Sequence, residues 1–300
     1  MKKTLVVHIS DIGDIICGSI VLDTLKEQGH QVDYLVPAPL HPLYADDARV
    51  HSLFAPNNLP TEKYDLVIDL TSDKNSRALM RKLKGKKLGR VKSLSQRLRH
   101  WVTYHQMVDK VLNHHIVEDY YPVLRALGDE KSRLPLLPKS AENSTKEVAI
   151  HFGAHNAKRV LPMHLLKASI ADLHARGFVV HLLGTEQDLG LEIMRETNGV
   201  ARFEKRNLAQ VKALIANVKL FIGADSGLLH MAAALGTPAI GVFGPNVTRR
   251  SGPKQQQVSF FEKDLPCRPC NQNVECPINV ECMRTLDAWK FIEHIHQRLA

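Results

Sequence analysis

The chain alternates between short apolar runs that stop at small or acidic residues and longer stretches in which apolar positions recur every three or four residues. Residues 4–9 are the first run and read as a buried strand, ended by Ser10-Asp11-Ile12-Gly13-Asp14. Residues 15–27 place Ile16, Ile20, Leu22 and Leu25 on one side of a helix that Gly29 ends. Strands follow at 32–36 and 64–70, the second closing in Thr71-Ser72-Asp73 ahead of another helix. Residues 86–115 show no clear period, and 118–127 read as the helix that closes the first half.

Residues 135–147 combine two prolines with a polar run and form the best linker. Beyond them the pattern predicts strands at 148–152 and 178–183 and helices at 163–176, 187–196 and 208–216. The stretch 220–245 is the clearest unit. An apolar run ends at Gly223, polar Asp225-Ser226-Gly227 sits where a helix begins, and 228–235 is a small apolar helix. A Gly-Thr-Pro turn, a strand over 239–243 and a Gly-Pro stop complete it. Ser226 or Asp225 suits the cap position, and the helix start offers N–H groups and a partial positive charge to an anion. Strands alternating with helices imply parallel sheets with right-handed crossovers. The expected class is therefore α/β, with two Rossmann-like domains facing a cleft. Their expected ranges are 1–140 and 141–285, with 286–300 as a C-terminal helix packing back on the first domain.

Composition adds little to the fold and more to the partners. A length of 300 residues, 44% hydrophobic and 24% charged, is that of a soluble globular protein with room for two cores. The N-terminus begins like a signal peptide, but Asp11 and Asp14 break the apolar run early. No apolar run approaches the roughly 18 residues of a membrane span. A cytoplasmic protein with at most a peripheral membrane contact is expected. The net charge of +9 is local: residues 75–100 hold ten Lys or Arg and no Asp or Glu, leaving −1 elsewhere. That suggests a polyanionic partner such as a phosphorylated lipid, an anionic membrane face or nucleic acid. Only Trp101 and Tyr104 follow the segment, without the interleaved aromatics of single-strand binders. A solvated basic surface is the plain alternative.

The motif Gly223-x-Asp225-Ser226-Gly227-x-x-His230, followed by Ala-Ala-x-Gly-x-Pro and Phe243-Gly244-Pro245, resembles the donor-site signature of the ADP-heptose:lipopolysaccharide heptosyltransferase family. Three further segments match in the same order. The resemblance implies an inverting, metal-independent glycosyltransferase of the GT-B arrangement. It would transfer L-glycero-D-manno-heptose from its ADP form to the inner core of lipopolysaccharide, at the inner face of the inner membrane. Its partners would be the nucleotide sugar, a lipid A-Kdo or core oligosaccharide acceptor and the anionic membrane surface, with no nucleic acid. Another nucleotide sugar, or another glycan or protein acceptor, is the near alternative. A catalytically silent nucleotide-sugar-binding relative is a third reading. A non-catalytic polyanion- or nucleic-acid-binding protein is the reading from a different class, and it leaves Asp14 and the 221–245 unit unexplained.

The residues supply the chemistry such a reaction needs. Transfer with inversion requires a base for the acceptor hydroxyl. Asp14, after the first strand, matches the Gly-Asp of the family's loop, with Asp11 as rival and a helix cap as the structural alternative. The departing diphosphate requires positive charge. The family has Lys-x-Trp-Pro here, whereas this chain has Arg159 at the Lys position, Lys158 one residue earlier and Leu161 in place of Trp. Which of Lys158 and Arg159 contacts the diphosphate stays open. Asp225 would bind sugar hydroxyls, while Ser226, Gly227 and Leu228 would present N–H groups to the diphosphate. His230 is either a donor contact or a core residue. Glu186 is a candidate for the ribose hydroxyls or a helix-start residue. Within the basic segment, Arg77, Arg81, Lys84 and Arg97 are the expected acceptor contacts.

Cys267, Cys270, Cys276 and Cys282 fall within sixteen residues, and Cys17 stands alone in an apolar helix. A reducing compartment excludes stable disulfides. The cluster is then a set of free thiols or a structural zinc or iron site, begun by Cys267-x-x-Cys270 but lacking a second such pair. No cofactor is expected to be required for catalysis.

Overall fold

A computed structural model describes the chain except residues 112–113, 140–145 and 271–274. It divides into two compact units, Met1–Pro138 and Lys139–Ala300, meeting inside the proline-containing linker.

The first unit begins with β1 (Lys3–Val7), α1 (Ile12–Gly18), α2 (Ile20–Glu27) and β2 (Gln31–Leu35). A 3-10 turn, Ala38–Leu43, leads to β3 (Ser52–Phe54) and β4 (Lys63–Asp69). Then come α3 (Lys74–Lys82), β5 (Lys84–Val91), α4 (Leu94–His100) and β6 (Gln106–Asp109). A second 3-10 turn, Ile116–Tyr120, runs into α5 (Tyr121–Ala126). The strands form one parallel sheet in the order β3-β2-β1-β4-β5-β6. Leu5, Val7, Leu35, Tyr64, Val67 and Met80 lie in one core cluster on this sheet. The helix expected over 15–27 starts earlier and is divided at Ser19, whose hydroxyl donates to the Ile16 carbonyl.

Asp69 fixes the turn after β4. It is buried and accepts from the Tyr104 hydroxyl, the Ser76 hydroxyl and the N–H groups of Thr71 and Ser72. Burial pushes its carboxyl up, against the pull of these donors. Asp73 then caps α3 through a reciprocal pair with Ser76.

The second unit repeats the plan. Its elements are β7 (Glu147–His151), α6 (Met163–Ala175), β8 (Val179–Leu183), α7 (Gln187–Glu196), β9 (Ala201–Phe203) and α8 (Leu208–Asn217). They continue as β10 (Leu220–Ala224), α9 (Gly227–Ala234), β11 (Ala239–Phe243), α10 (Thr248–Ser251), β12 (Val258–Glu262), α11 (Glu281–Arg284) and α12 (Ala288–Leu299). The sheet order is β12-β11-β10-β7-β8-β9, again parallel throughout. Read from each unit's first strand, both orders are the doubly wound 3-2-1-4-5-6 of dinucleotide-binding folds. Helix α12, expected to pack back on the first domain, belongs to the second unit. Its Phe291 and Ile295 enter that unit's core with Leu166 and Ile170 of α6, and His296 Nε2 lies 2.8 Å from Asp172 Oδ2.

Candidate active site

Each sheet reverses its winding between its central strands, β1 beside β4 and β7 beside β10. Open α/β sheets bind ligands at the carboxyl ends of strands at such points. The expected base and the expected donor residues sit at these two places, one set in each unit.

In the first unit Asp14 lies in the first turn of α1. The cap position belongs to Asp11, whose side chain makes no capping bond, so Asp14 is not the helix cap that its spacing allowed. Ser10 Oγ donates to Asp14 Oδ2 at 2.7 Å. Beneath it, the Tyr120 hydroxyl donates to the Asp14 carbonyl at 3.2 Å and lies 3.2 Å from His8 Nε2. Burial pushes the His8 imidazole well below its usual range, and Arg90 and Lys110 push the same way. Arg90 stands 4.4 Å over the Tyr120 ring and donates to the Asp119 carbonyl at 2.9 Å. Lys110 donates to the Thr71 carbonyl, and burial followed by Arg90 and Lys92 pushes its ammonium down to about 8. Gly18 lets this set close up: a Cβ there would come within 2.5 Å of His8 Cε1.

The four expected acceptor cations are not gathered in one place. Arg77 donates to the Ser72 carbonyl from α3, and Arg81 lies on the last turn of that helix. Arg97, on α4, pairs with Asp109 at 2.9 Å. Lys84 opens β5 beside Lys63, at the amino end of the sheet. A strand of this length spans roughly 25 Å, so Lys84 is far from the edge that carries Asp14. The even spacing of basic residues concealed a strand, whose two ends lie at opposite edges of the sheet.

In the second unit Asp225 is buried at the carboxyl end of β10. Arg159 Nη1 donates to its carbonyl at 3.0 Å and to Oδ2 at 3.3 Å, and Asn246 Nδ2 also donates to Oδ2. Lys158 and Arg159 share a 3-10 turn, Ala157–Arg159, capped by Asn156. Ser226 holds the cap position of α9, but its hydroxyl makes no capping bond and lies 3.1 Å from His151 Nδ1. Desolvation pushes His151 down to about 4, with Glu186 pulling it up. A neutral ring suits this pairing. Gly227 and Leu228 occupy the first helical positions, where N–H groups have no partner within the helix. His230 is buried on α9. Glu186 precedes α7, accepts from the Thr185 N–H at 3.0 Å, and stands where a Cβ on Gly153 would come within 2.5 Å of its Oε2.

Arg268 ties the cysteine-containing segment to this site. Its guanidinium, 3% exposed, donates to the carbonyls of Gly244, Lys263 and Asn246 and pairs with Glu262 at 2.6 Å. It thus fixes the main chain of Asn246, whose side chain holds Asp225. Cys267 is exposed, Cys270 and Cys276 are half-buried, and Cys282 is buried with Met283 against Gly244. Among the described residues no group of three or more His, Cys, Asp or Glu is placed to hold a metal. A structural zinc needs four ligands about 2.0–2.3 Å from one point. The expectation of a zinc or iron at the four thiols gains no support among the described residues.

His8, Tyr120, Asn246 and Arg268 are the contributors that sequence reasoning missed. Asn246, directly after the Gly244-Pro245 stop, had a readable position. His8 and Tyr120 act across a long sequence separation and, like Arg268, carry no local signal.

Comparison with known proteins agrees with this architecture. The sequence profile of glycosyltransferase family 9 (heptosyltransferase) matches residues 55–279. The lipooligosaccharide heptosyltransferase 2 of Campylobacter jejuni is 29% identical over 172 residues, covering 53% of each chain. That match spans about half the length of the relative. The lipopolysaccharide heptosyltransferase 3 of Escherichia coli is 26% identical over 278 residues, covering 77% of this chain and 80% of that protein. The structure of E. coli ADP-heptose lps heptosyltransferase II superposes with a TM-score of 0.80 at 19% identity, covering 99% of this chain and 98% of that one. The fold is accordingly the GT-B arrangement of two Rossmann-like units. With the family's profile matching most of its length, the chain belongs to glycosyltransferase family 9, the heptosyltransferases.

Proposed function

We propose that the protein is an inverting heptosyltransferase that moves L-glycero-D-manno-heptose from its ADP form onto a hydroxyl of the lipopolysaccharide inner core. The supporting observation is the arrangement Arg159–Asp225–Asn246 at the start of α9, at the switch point of the second sheet. A buried carboxylate held by two donors has a fixed orientation, which suits hydrogen bonds from sugar hydroxyls. The first N–H groups of α9 and the cationic turn at 157–159 suit a diphosphate. The names of the relatives support a heptose as the sugar and lipopolysaccharide as the acceptor.

Asp14 takes the proton of the acceptor hydroxyl as that oxygen attacks the anomeric carbon. The bond from that carbon to the diphosphate oxygen breaks on the opposite face, and its electron pair leaves with ADP. Negative charge grows on the diphosphate, where α9 and Lys158 meet it. Ser10 orients the Asp14 carboxylate, and Tyr120 and His8 brace the turn beneath. The family profile starts at residue 55, so the role of Asp14 rests on its place in the fold and on the loop motif. The protein acts in the cytoplasm, with the cations of the basic segment 75–100 other than Lys84 turned to the acidic groups of the acceptor and to the anionic membrane surface that carries it.

The test is release of nucleoside diphosphate by the purified protein. ADP-heptose, other ADP-sugars, UDP-sugars and GDP-sugars are each offered with heptose-free core as acceptor. Acceptor-dependent release with ADP-heptose alone is expected. Release with a different donor replaces the substrate, and release with none rules out this acceptor and leaves another acceptor or a binding role.

A further inference from the structure

Helix α4 is built inside out. Leu94, Leu98, Trp101 and Val102 are 72%, 69%, 70% and 65% exposed. The first three recur at i, i+4 and i+7, which is a single helical stripe. A helix on a sheet ordinarily turns such a stripe toward the sheet. The covered positions of the helix are polar: His100 is buried, and half-buried Arg97 donates to the Met107 carbonyl and pairs with exposed Asp109 of β6. Other large exposed apolar residues among those described, such as Leu191, Ile278 and Trp289, are scattered along the chain. This set is contiguous.

The surroundings are cationic. Arg77 and Arg81 of α3 and Arg99 in the last turn of α4 all push the His100 imidazole down, after burial, so each brings its charge near that ring. Lys92 is exposed just before the helix. No Asp or Glu lies between Asp73 and Asp109, and Asp109 is taken up by Arg97. An apolar stripe with a tryptophan, bordered by unopposed cations, matches the interface of an anionic bilayer. There apolar side chains enter the headgroup–acyl boundary and Lys or Arg meets phosphate.

We propose that residues 94–102 form an interfacial membrane anchor, with Leu94, Leu98, Trp101 and Val102 entering an anionic lipid surface and Arg77, Arg81, Lys92 and Arg99 bound to its phosphates. This deepens the functional reading above, resting on it only for the purpose of the anchor, which is to hold the enzyme where a lipid-linked acceptor lies. The contact has an apolar component, and a purely electrostatic one would not. Salt therefore weakens it without abolishing it. One short stripe with one basic patch makes the attachment reversible.

The full chain carrying Trp289→Phe, which leaves Trp101 as the fluorescent reporter, is sedimented with vesicles. One set is phosphatidylglycerol with phosphatidylethanolamine, the other phosphatidylcholine alone, each at about 0.1 M and about 0.5 M salt. Binding to the anionic set, a blue shift of Trp101 emission and a salt-resistant bound fraction are expected. In the parent chain, Leu94→Ser/Leu98→Ser/Trp101→Ser weakens partition at least tenfold, with thermal stability unchanged. Equal binding by parent and variant overturns the proposal, as does complete release at high salt. Self-association of the parent that the variant abolishes, without vesicle binding, makes the stripe a protein interface and overturns it too. Nucleotide release on a water-soluble core oligosaccharide, expected to be equal in parent and variant, keeps failure of the anchor distinct from failure of the functional reading.

Discussion

Arg159 donates from one nitrogen, Nη1, to both the main-chain carbonyl and the carboxylate of Asp225. The cation that aligns with the family's lysine is thereby committed to shaping the donor site from within. In the proposed mechanism the diphosphate falls to Lys158, its neighbour in the same turn. The two alanine variants should then behave differently. Arg159→Ala loses a charge-assisted bond to a buried carboxylate, about 1.5–3 kcal/mol, and should raise the donor KM about tenfold to a hundredfold. Lys158→Ala should act mainly on kcat. Steady-state kinetics of both variants check this. Equal effects on KM and kcat would show that the assignment is wrong.

Asn246 is predicted to act through Asp225. Asn246→Ala removes one donor from Oδ2 and should raise the KM for the nucleotide sugar several-fold while thermal stability barely changes. Arg268→Ala is the harsher change. It leaves three carbonyls and Glu262 without their partner and should destabilise the second unit by about 3–5 kcal/mol. Denaturant midpoints and the nucleotide-sugar KM of the two variants check this. Full stability of Arg268→Ala would remove the 263–270 segment from the support of the site.

Acid should loosen both units. His8 and His151 are kept uncharged by burial, His151 down to about 4. An unfolded histidine takes up its proton near 6.5, so the unfolded chain binds protons first as pH falls. The stability from these residues is complete above about pH 6.5 and is lost as pH falls through 6.5 toward 4. A loss of order 1–3 kcal/mol between about pH 7.5 and about pH 5 is expected, and His151→Gln should reduce its slope. Urea midpoints at the two pH values measure it. A midpoint independent of pH in the parent would contradict the burial argument.

Gly18 should not tolerate a side chain. A Cβ would meet His8 Cε1 at 2.5 Å and Tyr120 Cε1 at 2.9 Å, both on packed rings rather than flexible chain ends. Gly18→Ala is expected to cost about 1–3 kcal/mol and to reduce turnover by disturbing the support of Asp14. Activity and stability equal to the parent would place His8 and Tyr120 outside that support.

The sequence was most legible where apolar runs are bounded by glycine or polar clusters. Strands β7 and β8 and helices α6 and α7 lie within one residue of their expected bounds. Strand β5 was hidden because Lys84 and Lys86 project into solvent and its buried half contains Gly89 and Arg90, residues that do not read as strand core. Asp225 and Ser226 were readable because they stand at the carboxyl end of an apolar run, whereas Asp14 was preferred to Asp11 on the resemblance of its Gly-Asp loop. Tyr120 was not, since its partner His8 is 112 positions away. Ser226 held the cap position, but its hydroxyl pairs with His151 instead, a tertiary contact that no local pattern carries. Lys84 was misplaced because charge density along a chain does not say which edge of a sheet each charge occupies.

The most direct measurement is Asp14→Asn assayed for acceptor-dependent ADP release beside calorimetric titration with ADP. A positioned base contributes about 10²–10⁴ in rate. Turnover should fall by that factor while ADP affinity stays within about twofold, because Asp14 belongs to the first unit and the nucleotide is assigned to the second. Retained turnover would contradict its role as base, and loss of ADP affinity together with turnover would make it a structural residue.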